Sequence, residues 1–504
     1  MSQSPTQHVS PTQAAISSKR QLWLVFVGLM LSMMLAALDQ SIVNTSLPQM
    51  ASDLGGLAHL SWVVTAFMLC STIATPIYGK LGDMYGRRRL LTISIIIFLI
   101  ASALCGLSQT MTQLIVFRAL QGFGAGGLMT LSQTVISDVV EPRERGRYQG
   151  LFTGGFAFAS VAGPLIGGGL TTAISWRWIF YVNIPLGTIA LALILIGLRP
   201  IARSGHHIID YAGALLMACA ATTTLLLFTW AGSIFPWLSL WAVLLAVAGL
   251  VFWTLFIKQE RRAAEPLINL KLFTIRSFTI GVTTTSMMSF AMMGSMVFVP
   301  LYFQLVLGFS PATAGLLLLP QIIMMVISSI VGGQFSSRLG RPKPFMVGGI
   351  ALEALALSGF ALVAFFAAPL PYFLIALAIL GLGMGVAMPS AVVIIQNSVP
   401  RNTLGMATGT MAFIRSLGGA LGVAVSAGVM GMHLNWKLAD LSTSINIRSV
   451  IEGGLNVIRE LSPDMQITIT DVFRHAIAYS FLTSGIIMSL AFLLAMSLRG
   501  TDID

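Results

Sequence analysis

Apolar residues run along this chain in long stretches broken by short polar segments. LVFVGLMLSMMLAALD (24–39) is representative. A helix that crosses a bilayer needs about 20 mostly apolar residues at 1.5 Å rise each. Fourteen stretches meet that length, starting near residues 22, 59, 89, 111, 147, 178, 208, 236, 277, 309, 345, 371, 404 and 475. They lack the short alternation of outward apolar and inward polar positions that marks transmembrane β-strands. The pattern predicts an all-α polytopic membrane protein with fourteen transmembrane helices.

Composition agrees, because hydrophobic residues make up 56% and charged residues only 9%, too few charges for a soluble chain of 504 residues. The net charge of +11 would suggest nucleic acid if it were spread evenly. It is not. If the amino terminus is placed in the cytoplasm, five basic residues fall outside (Arg177, Lys437, Arg448, Arg459, Arg474). Two more, Arg118 and Arg415, lie within spans, and the rest of the 28 Lys and Arg gather on the cytoplasmic side. This positive-inside bias places both termini in the cytoplasm and explains the basic charge without nucleic acid. The first span follows Lys19-Arg20 without a small-residue cleavage site and reads as an uncleaved anchor. Residues 1–20 form a disordered cytoplasmic tail by composition. Cys70, Cys105 and Cys219 all fall in predicted spans, so neither a disulfide nor a metal framework is expected.

The chain repeats itself at long range. GKLGDMYGRR (79–88) and GQFSSRLGRP (333–342) share Gly-x3-[Asp/Ser]-x2-Gly-Arg at an offset of 254. GFGAGG (122–127) matches GLGMGV (381–386) at an offset of 259, which also aligns Gly146 with Gly405, Gly150 with Gly409 and Gly163 with Gly422. The reading is two six-helix bundles, 21–200 and 276–504, joined by two additional helices and a cytoplasmic linker in 201–275. Duplicated halves around a central site are the architecture of secondary transporters, although a channel or receptor can also contain repeats. The halves differ in charge: at the repeat offsets Asp83 becomes Ser337 and Arg118 becomes Leu377.

Charges inside spans are the candidate chemistry. By helical rise Asp39 lies ~26 Å from the cytoplasmic start of the first helix, and Arg118 ~11 Å below the outer surface. Both depths fall in the outer part of the bilayer. Such residues cost about 2.5–3.5 kcal/mol at mid-span and usually face a cavity or a partner. Two readings stand: a fixed structural pair, or a proton-carrying Asp39. Desolvation favours the neutral acid and a neighbouring cation the carboxylate, so such a group can exchange a proton for another cation. Glu353 and Arg415, ~12 Å and ~16 Å from the cytoplasmic ends of their helices, either pair with each other or leave Glu353 as a second proton site.

On these residues the chain resembles the fourteen-helix drug:proton antiporters of the major facilitator superfamily. GKLGDMYGRRRL (79–90) is similar to the superfamily's loop 2–3 motif, and LIVFRALQGFGAGG (114–127) to its fourth-helix motif. ASVAGPLIGGG (159–169) is similar to the Gly-Pro motif of exporters. LDQSIVNTSLP (38–48) and WRWIFYVNIP (176–185) favour the fourteen-helix branch. The departures are mild: Ala159 stands where Gly is usual, and Ser41 and Ser46 replace Thr and Ala.

The resemblance implies a major facilitator fold and a carrier that exports hydrophobic, cationic compounds against protons by alternating access. It implies that Asp39 is required for transport. It also implies a conformational latch at the cytoplasmic face built from Gly79, Asp83, Gly86 and Arg87. Helix 13, beginning near Leu404, is the expected acceptor for Asp83, and Arg143 and Arg147 are candidates to complete the network. Gly163, Pro164, Gly167 and Gly168 form the fifth-helix motif, a tight seam of small residues.

Asn44, Trp62, Phe156, Tyr181, Tyr302, Gln304, Gln321 and Arg415 are candidate cavity residues, since aromatic faces suit lipophilic cations. The same residue types serve as ordinary packing. The loop at about 433–474 is extracellular by topology, and DMQITITDV (464–472) alternates well enough for a short strand. No enzyme is expected, because no nucleophile or metal-ligand constellation lies in the spans. No ATP-binding Gly-x4-Gly-Lys-Ser/Thr motif is present, which leaves ion coupling as the energy source. The expected setting is a cytoplasmic (inner) membrane, with a monomer acting on a lipophilic small molecule and protons, without a cofactor. Competing readings are an exporter of lipids or lipophilic metabolites, and a non-transporting receptor or scaffold.

Overall fold

The computed structural model describes residues 19–54, 60–199, 209–231, 235–439 and 463–498. Sixteen α-helices follow in order: α1 (Lys19–Leu54), α2 (Leu60–Tyr85), α3 (Arg87–Leu107), α4 (Met111–Val139), α5 (Arg145–Ala173), α6 (Trp178–Tyr181), α7 (Asn183–Gly197), α8 (Tyr211–Trp230), α9 (Leu240–Arg262), α10 (Arg276–Leu305), α11 (Pro311–Leu316), α12 (Leu319–Leu339), α13 (Pro342–Phe365), α14 (Leu370–Asn397), α15 (Leu404–Ala439) and α16 (Pro463–Met496). With α6–α7 and α11–α12 each forming one span, fourteen are long and apolar enough to cross a membrane. Among the described residues there is no β-strand beyond one isolated bridge, Ala231 with Phe235. This follows from the solvent: in lipid every backbone N–H and C=O must be satisfied internally, which a helix does within its own segment.

The breaks have local causes. Gly86 takes φ 92°, a conformation that strains residues with a Cβ, and separates α2 from α3. Gly340, at φ 65°, ends α12 in the left-handed region. Thr110 caps α4 by accepting from the Gln113 N–H at 3.3 Å. Pro76, Pro164, Pro300 and Pro389 lie inside helices.

The chain divides into two compact units. Unit 1 comprises Met1–Ala221, Trp253–Thr274 and Ile395–Phe413; unit 2 comprises Thr222–Phe252, Ile275–Ile394 and Ile414–Asp504. Each additional helix, α8 and α9, is therefore shared between units, and the start of α15 belongs with unit 1. In unit 1, α4 packs on α2 and α3, and α1 on α5 and α7. Its core includes Phe26, Phe98, Phe152, Trp176 and Phe180. Unit 2 is centred on rings: Phe373 stacks on Tyr302 at 4.9 Å and on Phe360 at 4.6 Å between centroids.

The repeat recurs inside each unit. A Cβ on Gly122 of α4 would strike the Phe67 backbone of α2, and one on Gly126 the Ser71 carbonyl. In unit 2, Gly381 and Gly385 of α14 meet the backbones of Gln321 and Met325 of α12 in the same way. The partners are related by the same offsets, 254 and 259, that align the motifs.

Two expectations change near the carboxyl end. DMQITITDV is helical, because α16 begins at Pro463. Its alternation arises from Ile467 being exposed while Ile469 is buried against Leu434 and Phe473 on the helix. The loop is correspondingly shorter than 433–474, since α15 continues to Ala439; residues 440–462 lie outside the described residues, as do 1–18.

Candidate functional site

Asp39 is fully buried in α1, and α4 brings Arg118, also buried, against it. Arg118 Nη1 lies 2.5 Å from Asp39 Oδ2. The other oxygen, Oδ1, accepts from Gln121 Nε2 at 2.9 Å and from Asn183 Nδ2 at 2.8 Å. Three donors therefore surround the one carboxyl group. Ser102 of α3 accepts from Gln121 at 2.7 Å and from Asn183 at 3.3 Å, while Gln121 Oε1 accepts from Arg118 at 2.6 Å. Arg118 also donates through Nε to the Val63 carbonyl at 3.3 Å. Its guanidinium sits 4.1 Å from the centroid of the Phe67 ring. The cluster thus ties α1, α2, α3, α4 and α7 around one charge. Asn183 Oδ1 is buried and accepts no hydrogen bond.

Sequence reasoning placed Asp39 and Arg118 together but missed Gln121, Asn183 and Ser102. Gln121 had a legible signal, since it follows Arg118 by three residues and so shares its helix face. Ser102 and Asn183 had none, because only the packing of α3 and α7 brings them in.

A second polar cluster lies at the other end of α2. Asp83 accepts from the Gly405 N–H (3.1 Å, Oδ1) and the Met406 N–H (2.8 Å, Oδ2) at the start of α15. Those N–H groups have no partner within the helix, and the helix dipole favours a negative group there. Arg87 Nη2 holds Asp83 Oδ1 at 2.8 Å, while its Nη1 donates to the Thr134 carbonyl at 3.0 Å and forms an ion pair with Asp138. Gly79 permits this approach: a Cβ there would sit 3.3 Å from Gly409 Cα and closer still to Gly405. Gly79, Asp83, Gly86 and Arg87 therefore come together.

Arg143 and Arg147 both stand exposed. The buried arginine is Arg145, which donates to the Ser137 carbonyl at 2.6 Å and to Asn397 Oδ1. Gln396, beside Asn397, accepts from Ser137 Oγ at 2.6 Å. Arg145 and Arg147 both lie in the first turn of α5, and its register turns Arg145 inward and Arg147 outward.

In α5, Gly163 lies against Ser41, whose hydroxyl fills the place of a Cβ and donates to the Ala159 carbonyl at 3.1 Å. Pro164 is exposed, Gly167 is buried and Gly168 has open space around its Cα.

The pairing considered for Glu353 is not found. Glu353 is buried against Gly383 of α14, its Oε1 accepts no hydrogen bond, and no ion pair joins it to Arg415 among the described residues. Helical rise gave similar depths for the two residues, but depth alone does not fix which way they face.

Among the candidate cavity residues, Tyr302 is corrected: it is only 2% exposed and stacks on Phe373, as a core ring. Trp62, Phe156, Tyr181, Gln304, Gln321 and Arg415 are half-buried. Of these, Phe156 packs on the unit 1 core, Tyr181 covers Gly106, and Gln321 Nε2 lies 3.6 Å from Met384 Sδ. The side chain of Asn44 lies outside the described residues. Among the described residues no cluster of three or more His, Cys, Asp or Glu could hold a metal.

A duplicated helical fold with fourteen candidate spans and a buried, charged cluster in its first unit is the architecture of a polytopic membrane protein. The chain belongs to the Major Facilitator Superfamily, whose family model matches residues 29–423. It is 38% identical over 429 residues to the multidrug transporter protein MdtP of Bacillus subtilis, covering 84% of this chain and 77% of that one. It is 34% identical to multidrug resistance protein 3 of the same species, over 82% of this chain and 81% of that one. Among solved structures, the proton:xylose symporter XylE shares the fold at a TM-score of 0.62 and 14% identity, covering 95% of each chain.

Proposed function

We propose that this protein is a proton-driven exporter of hydrophobic, cationic toxic compounds, with Asp39 as the group that exchanges protons for substrate. The observation that carries the reading is the Asp39 cluster, a fully buried carboxylate held by one cationic and two amide donors. Relatives named as multidrug transporters support the choice of cargo. The positive-inside distribution supports a cytoplasmic membrane with both termini inside.

The exchange needs only different affinities in two states. Open to the outside, Asp39 takes a proton, which leaves Arg118, Gln121 and Asn183 with one fewer acceptor and loosens α1 from α4 and α7. Open to the cytoplasm, Asp39 loses that proton and attracts a cationic substrate. Ser41, two residues further along α1, carries any shift of α1 into α5 through Gly163. Asp83 and Arg87 form the latch, whose contacts on the first turn of α15 are made in one state and released in the other. Glu353, buried without a cation, is a second proton-carrying group in this scheme. The protein acts as a single chain and needs no cofactor.

The test is substrate-driven proton release in reconstituted vesicles. Asp39→Asn abolishes it and weakens binding of a cationic dye, because the charge that attracts the cation is gone; undiminished coupled efflux in that variant would overturn the reading. A strict preference for neutral lipids over cationic dyes would replace the cargo class and leave the coupling intact.

A further inference from the structure

The two additional helices bring a pair of carboxyl groups together outside the Asp39 cluster. Asp210 immediately precedes α8, and Glu260 lies in the last turn of α9; both belong to unit 1. One oxygen of each is satisfied. Asp210 Oδ1 accepts from the Gly213 N–H at 2.8 Å and from Gln259 Nε2 at 2.9 Å, and Glu260 Oε2 from the Ile268 N–H at 3.1 Å. The other two, Asp210 Oδ2 and Glu260 Oε1, are buried and have no hydrogen-bond partner among the described residues. Glu260 as a whole is only 4% exposed.

The two free oxygens converge. A Cβ on Gly213 would lie 2.5 Å from Asp210 Oδ2 and 3.0 Å from Glu260 Oε1, so both oxygens sit around one point, left open by the absence of a side chain at 213. Buried polar atoms are rarely left unpaired, and two carboxylates around one site cannot comfortably both carry charge. Lys80 of α2 is 3.2 Å from Glu265, and its charge also reaches Glu260. Lys258, Arg261 and Arg262 on the same helix as Glu260 are exposed.

We propose that Asp210 and Glu260 share one proton, forming a protonation site at the base of the additional helix pair that is separate from the Asp39 cluster. One carboxylic O–H donates to the facing carboxylate oxygen, which satisfies both orphaned atoms at once and leaves the pair with a single negative charge. A proton suits the site better than a metal. Oxygen-seeking cations such as calcium take six to eight ligands, whereas two free carboxyl oxygens meet here.

The pair also has a route to the latch. The segment after Glu260 reaches Lys80 in the last turns of α2 through Glu265, and the Asn269 N–H lies 3.1 Å from the sulfur of Met406. Met406 is the residue whose N–H Asp83 holds. Loss of the shared proton to water sets two negative charges against each other at the anchor of this segment. The site thus makes the docking of the linker responsive to pH on the face that carries loop 2–3.

The experiment uses the purified full-length protein. Infrared spectra at neutral pH show a protonated-carboxyl band that loses intensity in Glu260→Gln and in Asp210→Asn. Melting temperature against pH shows a stabilisation present at low pH and lost as pH rises, because a proton held in the folded state adds stability only while it is bound. Glu260→Gln, whose amide can donate to Asp210 Oδ2, flattens that step. Gly213→Ala, which places a methyl between the oxygens, removes it as well and reads the same site should Glu260→Gln fail to fold. Unchanged band intensity, or a pH step identical in all variants, overturns the proposal. So does a stabilisation by added calcium, magnesium or potassium that the variants lose, which would make the occupant a metal. Neither readout depends on transport, so a failure of the Asp39 reading leaves this test intact.

Discussion

Ser41 of α1 occupies the space that a side chain on Gly163 of α5 would need, and the two helices meet there without a gap. The contact is two residues from Asp39, so the helix that carries the buried carboxylate is locked in position by a residue that has no side chain. Gly163→Ala forces the helices apart. Overpacking of this kind costs ~1–3 kcal/mol. The expected result is a lower melting temperature and slower efflux, with Ser41→Gly in the same chain restoring much of both.

Arg118 and Asp39 are buried together, and removing one partner leaves an uncompensated charge. Arg118→Met should destabilise the fold by ~3–5 kcal/mol, while the double variant Arg118→Met, Asp39→Asn recovers a substantial part of that stability without recovering proton exchange. Thermal melts and vesicle pH measurements on the four chains form a double-mutant cycle that reads the pair's contribution to stability apart from any contribution to proton exchange.

Asp83 caps α15 and is held there by Arg87. Asp83→Asn keeps the shape but removes the negative group from two backbone donors and one guanidinium. Severalfold faster labelling of single cysteines introduced at the start of α15, where Asp83 docks, is the expected outcome. An unchanged labelling rate would show that the contact does not control the conformational equilibrium.

Arg145 and Arg147 make a matched comparison. Arg145→Ala leaves the Ser137 carbonyl and Asn397 without their donor and should cost ~1–3 kcal/mol in chemical or thermal unfolding. Arg147→Ala, at an exposed position, should stay within about 0.5 kcal/mol.

Much of this was legible in the sequence, for physical reasons that are local. A span needs only length and apolarity, so the fourteen stretches and most of their starts could be read directly. Glycine positions that recur at 254 and 259 announced a duplicated helix crossing, because only a glycine lets two backbones approach so closely. An ionisable residue inside an apolar run announces a partner, which singled out Asp39 and Arg118. The last span was less legible, since polar residues such as Gln466 and Thr468 obscured the helix that begins at Pro463.

The remaining details depended on which way side chains face once helices pack. Sequence distance and depth made Glu353 with Arg415 a plausible pair and Arg143 or Arg147 plausible latch residues, yet helical register turned Arg145 inward and left Glu353 without a cation. Ser102 and Asn183 joined Asp39, and Asp210 met Glu260, across intervals of the chain that no local pattern links. By itself the sequence determined the number of spans, the repeat and the costly charges, because each follows from transfer energies and backbone geometry. Only the tertiary structure decided the partners of those charges, because hydrogen bonds act over about 3 Å and their targets lie on different helices.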